Sequence, residues 1–204
     1  MLIVDNFSGG YGALDGETVS GGGFTWADGE GSGLIDTSAV CNGNQATTWG
    51  TGYISDMPDL TAVTIKVVYK SGTAVSVIGM YDPTAGDGTG YTFSIAGAGH
   101  DTLAIKEISN GLANNTDLDT LTLVINADDV IVFVLGASSQ EVFVNGVSKL
   151  SATDGTYTSG KAGIGVFDKR GTVDDLEITA ASPAGGQGQA AQWGARWGFS
   201  RGGF

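Results

Sequence analysis

The dipeptide Asn145-Gly146 constrains this chain more than any other feature. Both residues tolerate the positive φ angles of a type I′ turn, whose twist matches two paired strands. Val142-Phe143-Val144 precedes it, and Val147, Lys149 and Leu150 follow. Two further apolar runs, Ala162 to Phe167 and Val173 to Ile178, complete a stretch rich in β-branched residues and punctuated by glycine. These signals predict consecutive β-strands and no helix.

The rest of the chain repeats the pattern. Val63, Ile65, Val67 and Tyr69 alternate with Thr64, Lys66 and Lys70, so one face is apolar and the other polar. Ala74 to Tyr81 returns after Ser71-Gly72 as a hairpin partner. Tyr91, Phe93 and Ile95 alternate with Thr92 and Ser94, and Leu103 and Ile105 begin another run. A polar loop is expected over 109–120, followed by a strand from Leu121 to Ile125. Val130 to Leu135 is apolar without interruption, as in a strand covered on both faces. About twelve short strands predict an all-β, two-sheet antiparallel jelly-roll sandwich over residues 1–182. Its expected core contains Val63, Ile65, Val67, Val132, Val134, Phe143, Ile164 and Val166.

The string V-F-V-N-G-V, the loop after it, S-G-K-A-G-I-G-V and V-D-D-L-E-I resemble the C-terminal half of a laminin-G-like, concanavalin-A-like jelly roll. Asp5-x-Phe7, Leu14-x-Gly16 and Phe24-x-Trp26 are similar to that family's entry strand and first loop. The resemblance implies a fold and no particular chemistry. It also implies a kind of domain common on phage particles, and relatives that sometimes bind calcium where the first and last strands meet. The matching positions here are Asp5 and Asp174 or Asp175.

Charge and composition exclude several functions. The net charge is −13, and Lys/Arg clusters able to replace the counterions of a nucleic acid are missing. No apolar run approaches the ~20 residues of a membrane-crossing helix. Cys41 and His100 are the only residues of their types, too few for a zinc or iron–sulfur site. Cys41 reads as a small buried hydrophobe, and His100 as a loop residue in a turn. No G-x-S-x-G elbow and no E-x-D-x-E strand occurs; Asp175 and Glu177 are the nearest carboxylate pair. These features predict no catalytic residue and no cofactor. Met1-Leu2-Ile3-Val4-Asp5 lacks the basic start of a signal peptide and reads as an entry strand made in a cytoplasm.

Residues 183–204 change character: Gly, Ala and Gln predominate, with Trp193, Arg196, Trp197, Phe199, Arg201 and Phe204. All 22 acidic residues lie before this segment, together with seven of the nine basic ones. The segment reads as an extended arm whose Trp and Arg side chains anchor a partner. Two functions are expected. One is a non-enzymatic phage virion protein (a capsid decoration, fibre or tail component), homo-oligomeric or bound to other virion subunits and located in the virion. The other is a carbohydrate-binding module, with Trp26, Trp49 and Tyr53 as candidate glycan contacts.

Overall fold

A computed structural model describes residues 1–7, 12–13, 16, 18–21, 23–28, 39–41, 46–48, 51–73, 75–86, 88–97, 99–111, 114–166 and 171–180. The described strands are β1 (Leu2–Asp5), β2 (Gly12–Ala13), β3 (Trp26–Asp28), β4 (Ala39–Cys41), β5 (Ala46–Thr48), β6 (Thr51–Ile54), β7 (Val63–Gly72) and β8 (Val75–Asp82). They continue as β9 (Thr89–Ala96), β10 (Thr102–Ile108), β11 (Asn115–Thr122), β12 (Val130–Leu135), β13 (Gln140–Val144), β14 (Val147–Ala152), β15 (Lys161–Val166) and β16 (Gly171–Ala180). No helix occurs among the described residues. Two antiparallel sheets face each other. One runs β14-β13-β12-β7-β16-β5-β4-β2, with β1 added beside β16, and the other runs β11-β10-β9-β8-β15-β6-β3.

The Asn145-Gly146 turn forms as the sequence requires, with φ of 51° and 77° joining β13 to β14. Asn145 is further tied by its side chain, which accepts from the Val130 amide at 2.9 Å and donates to Asp129 at 2.7 Å. Between the sheets lie Ile3, Trp26, Ile65, Val67, Val77, Phe93, Ile105, Phe133, Ile164 and Ile178, all nearly or fully buried. At Gly79 side chains of the facing layer fill the space a Cβ would need. A Cβ there would stand 2.3 Å from Leu135 Cδ1 and 3.0 Å from Ile65 Cδ1.

Two expectations need correction. In β12 and β13 the inward side chains are Ile131, Phe133, Leu135, Val142 and Val144, whereas Val132, Val134 and Phe143 lie half-buried on the outer face. An uninterrupted apolar run carries no parity of its own. The parity is set by the antiparallel register of Phe133 against Ile65 in β7. Val63, Ile65, Val67 and Ile164 are buried as expected, while the side chain of Val166 lies outside the described residues.

The second correction concerns 115–120, expected as part of a loop, and the strand expected from Leu121 to Ile125, of which only Leu121 and Thr122 lie in a strand, β11 (Asn115–Thr122). This strand pairs with β10 across a bulge between Ile105 and Lys106. The segment is mostly polar because it is a sheet edge held largely by backbone bonds, with Leu118 and Leu121 half-buried against the core. Its Asp119 also reaches across to the other sheet, accepting from the Ser151 amide of β14 at 2.9 Å.

Strand β8 contains a bulge between Gly79 and Asp82, with Met80 at φ 50°. Gly90 and Gly160 flank it. A Cβ on either would fall within 3.0 Å of Met80 or Tyr81 backbone atoms, so both positions need glycine.

Candidate functional site

The candidate site lies on the outer face of the seven-stranded sheet, beside Tyr53. Strand register sets its rows. Gly165, Ser76, Ser94 and Ala104 stand side by side, from β15 through β8 and β9 to β10. Two residues along each strand lies a second row of Tyr53, Gly163, Ile78, Thr92 and Lys106, with Asp117 beyond on β11. The floor is therefore made of side chains no larger than Thr over most of its area. Gly163 could not be replaced without movement, since a Cβ there would lie 2.0 Å from the Gly52 carbonyl oxygen.

One end of this floor is apolar and aromatic. Ile78, Tyr81 and Ile108 form a small buried cluster separate from the main core, and half-buried Tyr53 packs against it. The Tyr53 and Tyr81 rings lie 5.8 Å apart, tilted by 55°. The opposite rim is polar and charge-balanced: Lys106 Nζ sits 2.7 Å from Asp117 Oδ1 and donates to Asn115 Oδ1 at 3.3 Å. On this face Tyr53 and Lys106 are half-buried, while Ser76, Thr92 and Ser94 are 3% exposed or less. Ser76 and Ser94 have buried hydroxyls with no hydrogen-bond partner. Thr92, by contrast, donates to the Val77 and Phe93 carbonyls, both at 3.2 Å.

The structure separates the other residues singled out by sequence. Trp26, expected as a glycan contact, is 1% exposed. Its indole Nε1 donates to Asp5 Oδ2 at 2.7 Å, which makes it a core residue with a satisfied polar tip. Tyr53 keeps an accessible position. Trp49 lies outside the described residues, as do Trp193, Arg196, Trp197, Phe199, Arg201 and Phe204.

The calcium positions do not converge. Asp5 is 3% exposed, and its Oδ1 accepts from the Phe7 amide at 2.8 Å and Ser20 Oγ at 2.7 Å. Asp175 is exposed on a bulge of β16 at φ 49°. Among the described residues, no group of three His, Cys, Asp or Glu side chains is placed to hold a metal ion.

Asp175 and Glu177 do not form a working pair. The Asp175 amide donates to Asp174 Oδ1 at 2.9 Å, and Glu177 is engaged by Lys66 at 3.3 Å on the outer face of the nine-stranded sheet. Nearby, burial raises the Asp174 carboxyl above its ordinary range. His100 occupies the expected turn, but its ring is half-buried against Tyr69, with Nδ1 2.6 Å from the Gly72 carbonyl oxygen.

At one end of the sandwich, Tyr91 donates its hydroxyl to Asp154 Oδ1, and its ring meets Tyr157 edge-on at 5.5 Å. Burial, aided by this carboxylate, pushes the Tyr91 hydroxyl up to about 12. The same hydrogen bond, with the Thr156 amide, holds Asp154 below its usual value.

No family model matches the chain, and no curated protein does. Solved structures do. The carbohydrate binding module CBM66 from Bacillus subtilis superposes with a TM-score of 0.56 at 16% identity, covering 83% of this chain and 96% of that one. A prokaryotic β-1,3-1,4-glucanase (lichenase) derived from a mouse hindgut metagenome gives 0.53 at 11% identity, covering 89% and 100%. The fold is a concanavalin-A-like β-sandwich. The calcium-bound exoplasmic/lumenal domain of VIP36 shares this concanavalin-A-like arrangement at a TM-score of 0.56, 8% identity and coverage of 89% and 93%. At these identities the likeness is one of fold.

Within the concanavalin-A-like sandwich, sequence reasoning named Tyr53 but not the residues aligned beside it. Thr92 and Ser94 were legible as the polar face of a strand. Their alignment with Ser76, Gly165 and Ala104 depends on pairings among four strands, which no local pattern carries.

Proposed function

We propose that this protein is a carbohydrate-binding module that holds a neutral glycan on the outer face of its seven-stranded sheet, with Tyr53 as the stacking platform. The observation that carries this reading is half-buried Tyr53, braced by Ile78, Tyr81 and Ile108 beside a floor of small polar residues. A ring braced from behind loses little freedom when a sugar stacks on it, and such contacts favour a fixed aromatic. The carbohydrate-binding module among the similar folds supports the reading by analogy of architecture. The acidic body, net −13 for the whole chain, disfavours anionic glycans.

The test is a glycan array followed by titration with the neutral polysaccharides that score. Tyr53→Ala should weaken binding about threefold to tenfold, the range expected from one aromatic contact, while leaving the melting temperature of the main core within a few degrees. Absence of binding to every neutral glycan at millimolar concentration would end this proposal. The virion reading draws on residues 183–204. Finding the protein in purified particles at a copy number matching a symmetric lattice would establish it.

A further inference from the structure

Asn145 is exposed at the tip of the β13–β14 hairpin, yet its side-chain amide is held at both ends. Oδ1 accepts from the Val130 amide at 2.9 Å, and Nδ2 donates to Asp129 Oδ1 at 2.7 Å. A carboxylate only accepts and a backbone amide only donates, so the two ends of the Asn145 amide cannot be exchanged. The clamp is itself anchored. The Asn145 backbone amide donates to the Val130 carbonyl at 2.8 Å, and the second oxygen of Asp129 accepts from the Asn126 amide at 2.8 Å.

The residue that follows gives this clamp a chemical meaning. The backbone nitrogen after an asparagine can attack the side-chain Cγ. A C–N bond then forms, the Cγ–Nδ2 bond breaks, and ammonia leaves with the proton lost from the attacking nitrogen. Solvent water opens the resulting succinimide to aspartate or isoaspartate. Glycine hinders the attack least because it has no side chain. At Gly146 a Cβ would meet nothing within 4 Å, and no backbone carbonyl among the described residues takes its amide. The nucleophile is open, and only the electrophile is held. Asn110-Gly111 shows the reverse arrangement, with the Gly111 amide donating to the Gly88 carbonyl at 2.7 Å.

We propose that Asn145 is a deamidation site gated by the fold, kept unreacted by Asp129 and Val130 and released when the turn at 126–129 parts from the hairpin. Closing the five-membered ring brings Cβ and the Gly146 nitrogen to the same side of the Cα–C bond. A type I′ backbone holds them on opposite sides, and the two side-chain bonds resist the movement as well. The product works against the fold. A carboxylate oxygen then replaces Nδ2, 2.7 Å from Asp129 Oδ1, so attraction becomes repulsion where the hairpin carrying outermost strand β14 is tied to β12. The modification is therefore a clock that loosens one border of the nine-stranded sheet.

The test incubates the full chain in mildly alkaline buffer and follows, by mass spectrometry, aspartate and isoaspartate at position 145. Folded wild type should react about tenfold or more slowly than the same chain in urea, because reaction waits for local opening. Asp129→Ala should narrow that gap at least about threefold, the effect of one lost hydrogen bond on the opening equilibrium. Asp128→Asn releases Lys70 and not Asn145, so it should leave the rate unchanged, as should Asp129→Ala for Asn110 in the same samples. Equal rates in folded and unfolded chains overturn the gate, and equal acceleration by the two variants overturns the role of Asp129. A second measurement does not require Asp129→Ala to fold. Asn145→Asp should lower the melting temperature by about 3–6 °C, and adding Asp129→Asn should restore most of the loss by giving the new carboxylate a donor. Absence of that rescue also overturns the proposal.

Discussion

The indole Nε1 of Trp26 donates to the buried Oδ2 of Asp5 at 2.7 Å, joining two strands from opposite sheets. The other oxygen of the carboxylate takes the Phe7 amide and the Ser20 hydroxyl, so three donors meet one buried acceptor. Removing one donor from a buried charged acceptor costs about 1.5–3 kcal/mol. Trp26→Phe keeps the ring against Phe7, 6.2 Å away, and removes the donor. A loss in that range is expected in urea unfolding. A change near zero would mean that the bond is dispensable and that packing alone fixes the entry strand.

The inward parity of β12 gives a paired test. Phe133 is fully buried and 6.3 Å from Phe93, while Phe143 is half-buried on the outer face. Phe133→Ala should cost about 3–5 kcal/mol, the range for emptying a packed aromatic site. Phe143→Ala should cost clearly less than half of that. Equal losses, measured by denaturant midpoint at constant slope, would overturn the register.

Leu135 and Ile65 of the facing sheet occupy the space beside Gly79. Gly79→Ala should destabilise by about 1–3 kcal/mol through overpacking against Leu135 and Ile65. Shortening the neighbour with Leu135→Val should make the second Gly79→Ala step less damaging than it is alone, a coupling that a double-mutant cycle reads directly. Strict additivity would show that the layers can part there without strain.

The Tyr91–Asp154 pair links stability to pH at both extremes. Asp154 is depressed by the Tyr91 hydroxyl and the Thr156 amide, so the folded state holds its proton less tightly than the unfolded chain. The stabilisation is therefore present above the unfolded value, near ~3.9, and is lost as pH falls through the folded one. Tyr91 is raised to about 12, chiefly by burial. Its share is full below the unfolded value of ~10 and fades as pH climbs from there towards 12. Tyr91→Phe should flatten both flanks in melting curves recorded from acid to alkali. Parallel curves for the two proteins would show that the pair does not titrate with folding.

What was legible in the sequence followed from local pattern. The Asn145-Gly146 turn and the alternation of Val63 to Tyr69 needed only neighbouring residues, and both appear in the structure. Val130 to Leu135 offered no alternation, so its parity waited on a partner far along the chain. Trp26 could be read as a core residue or as a glycan contact, because its acceptor stands 21 positions away, across the sandwich. Strand β11 lacked apolar periodicity because edge pairing does not require it. The candidate site was the least legible part, since its floor joins the consecutive strands β8, β9 and β10 to β15, which comes from far along the chain.

Asp119 has a consequence for how this protein behaves when crowded. Its carboxylate already occupies the Ser151 amide of β14, an outermost strand of the nine-stranded sheet. A foreign strand arriving at that border finds this amide already taken and a negative charge beside it. Growth of one sheet into a fibre by stacking copies side by side is blocked at this border by a single side chain borrowed from the opposite layer. Asp119→Ala should free that amide and remove that charge, and faster aggregation in concentrated solution, read by light scattering, is the expected result.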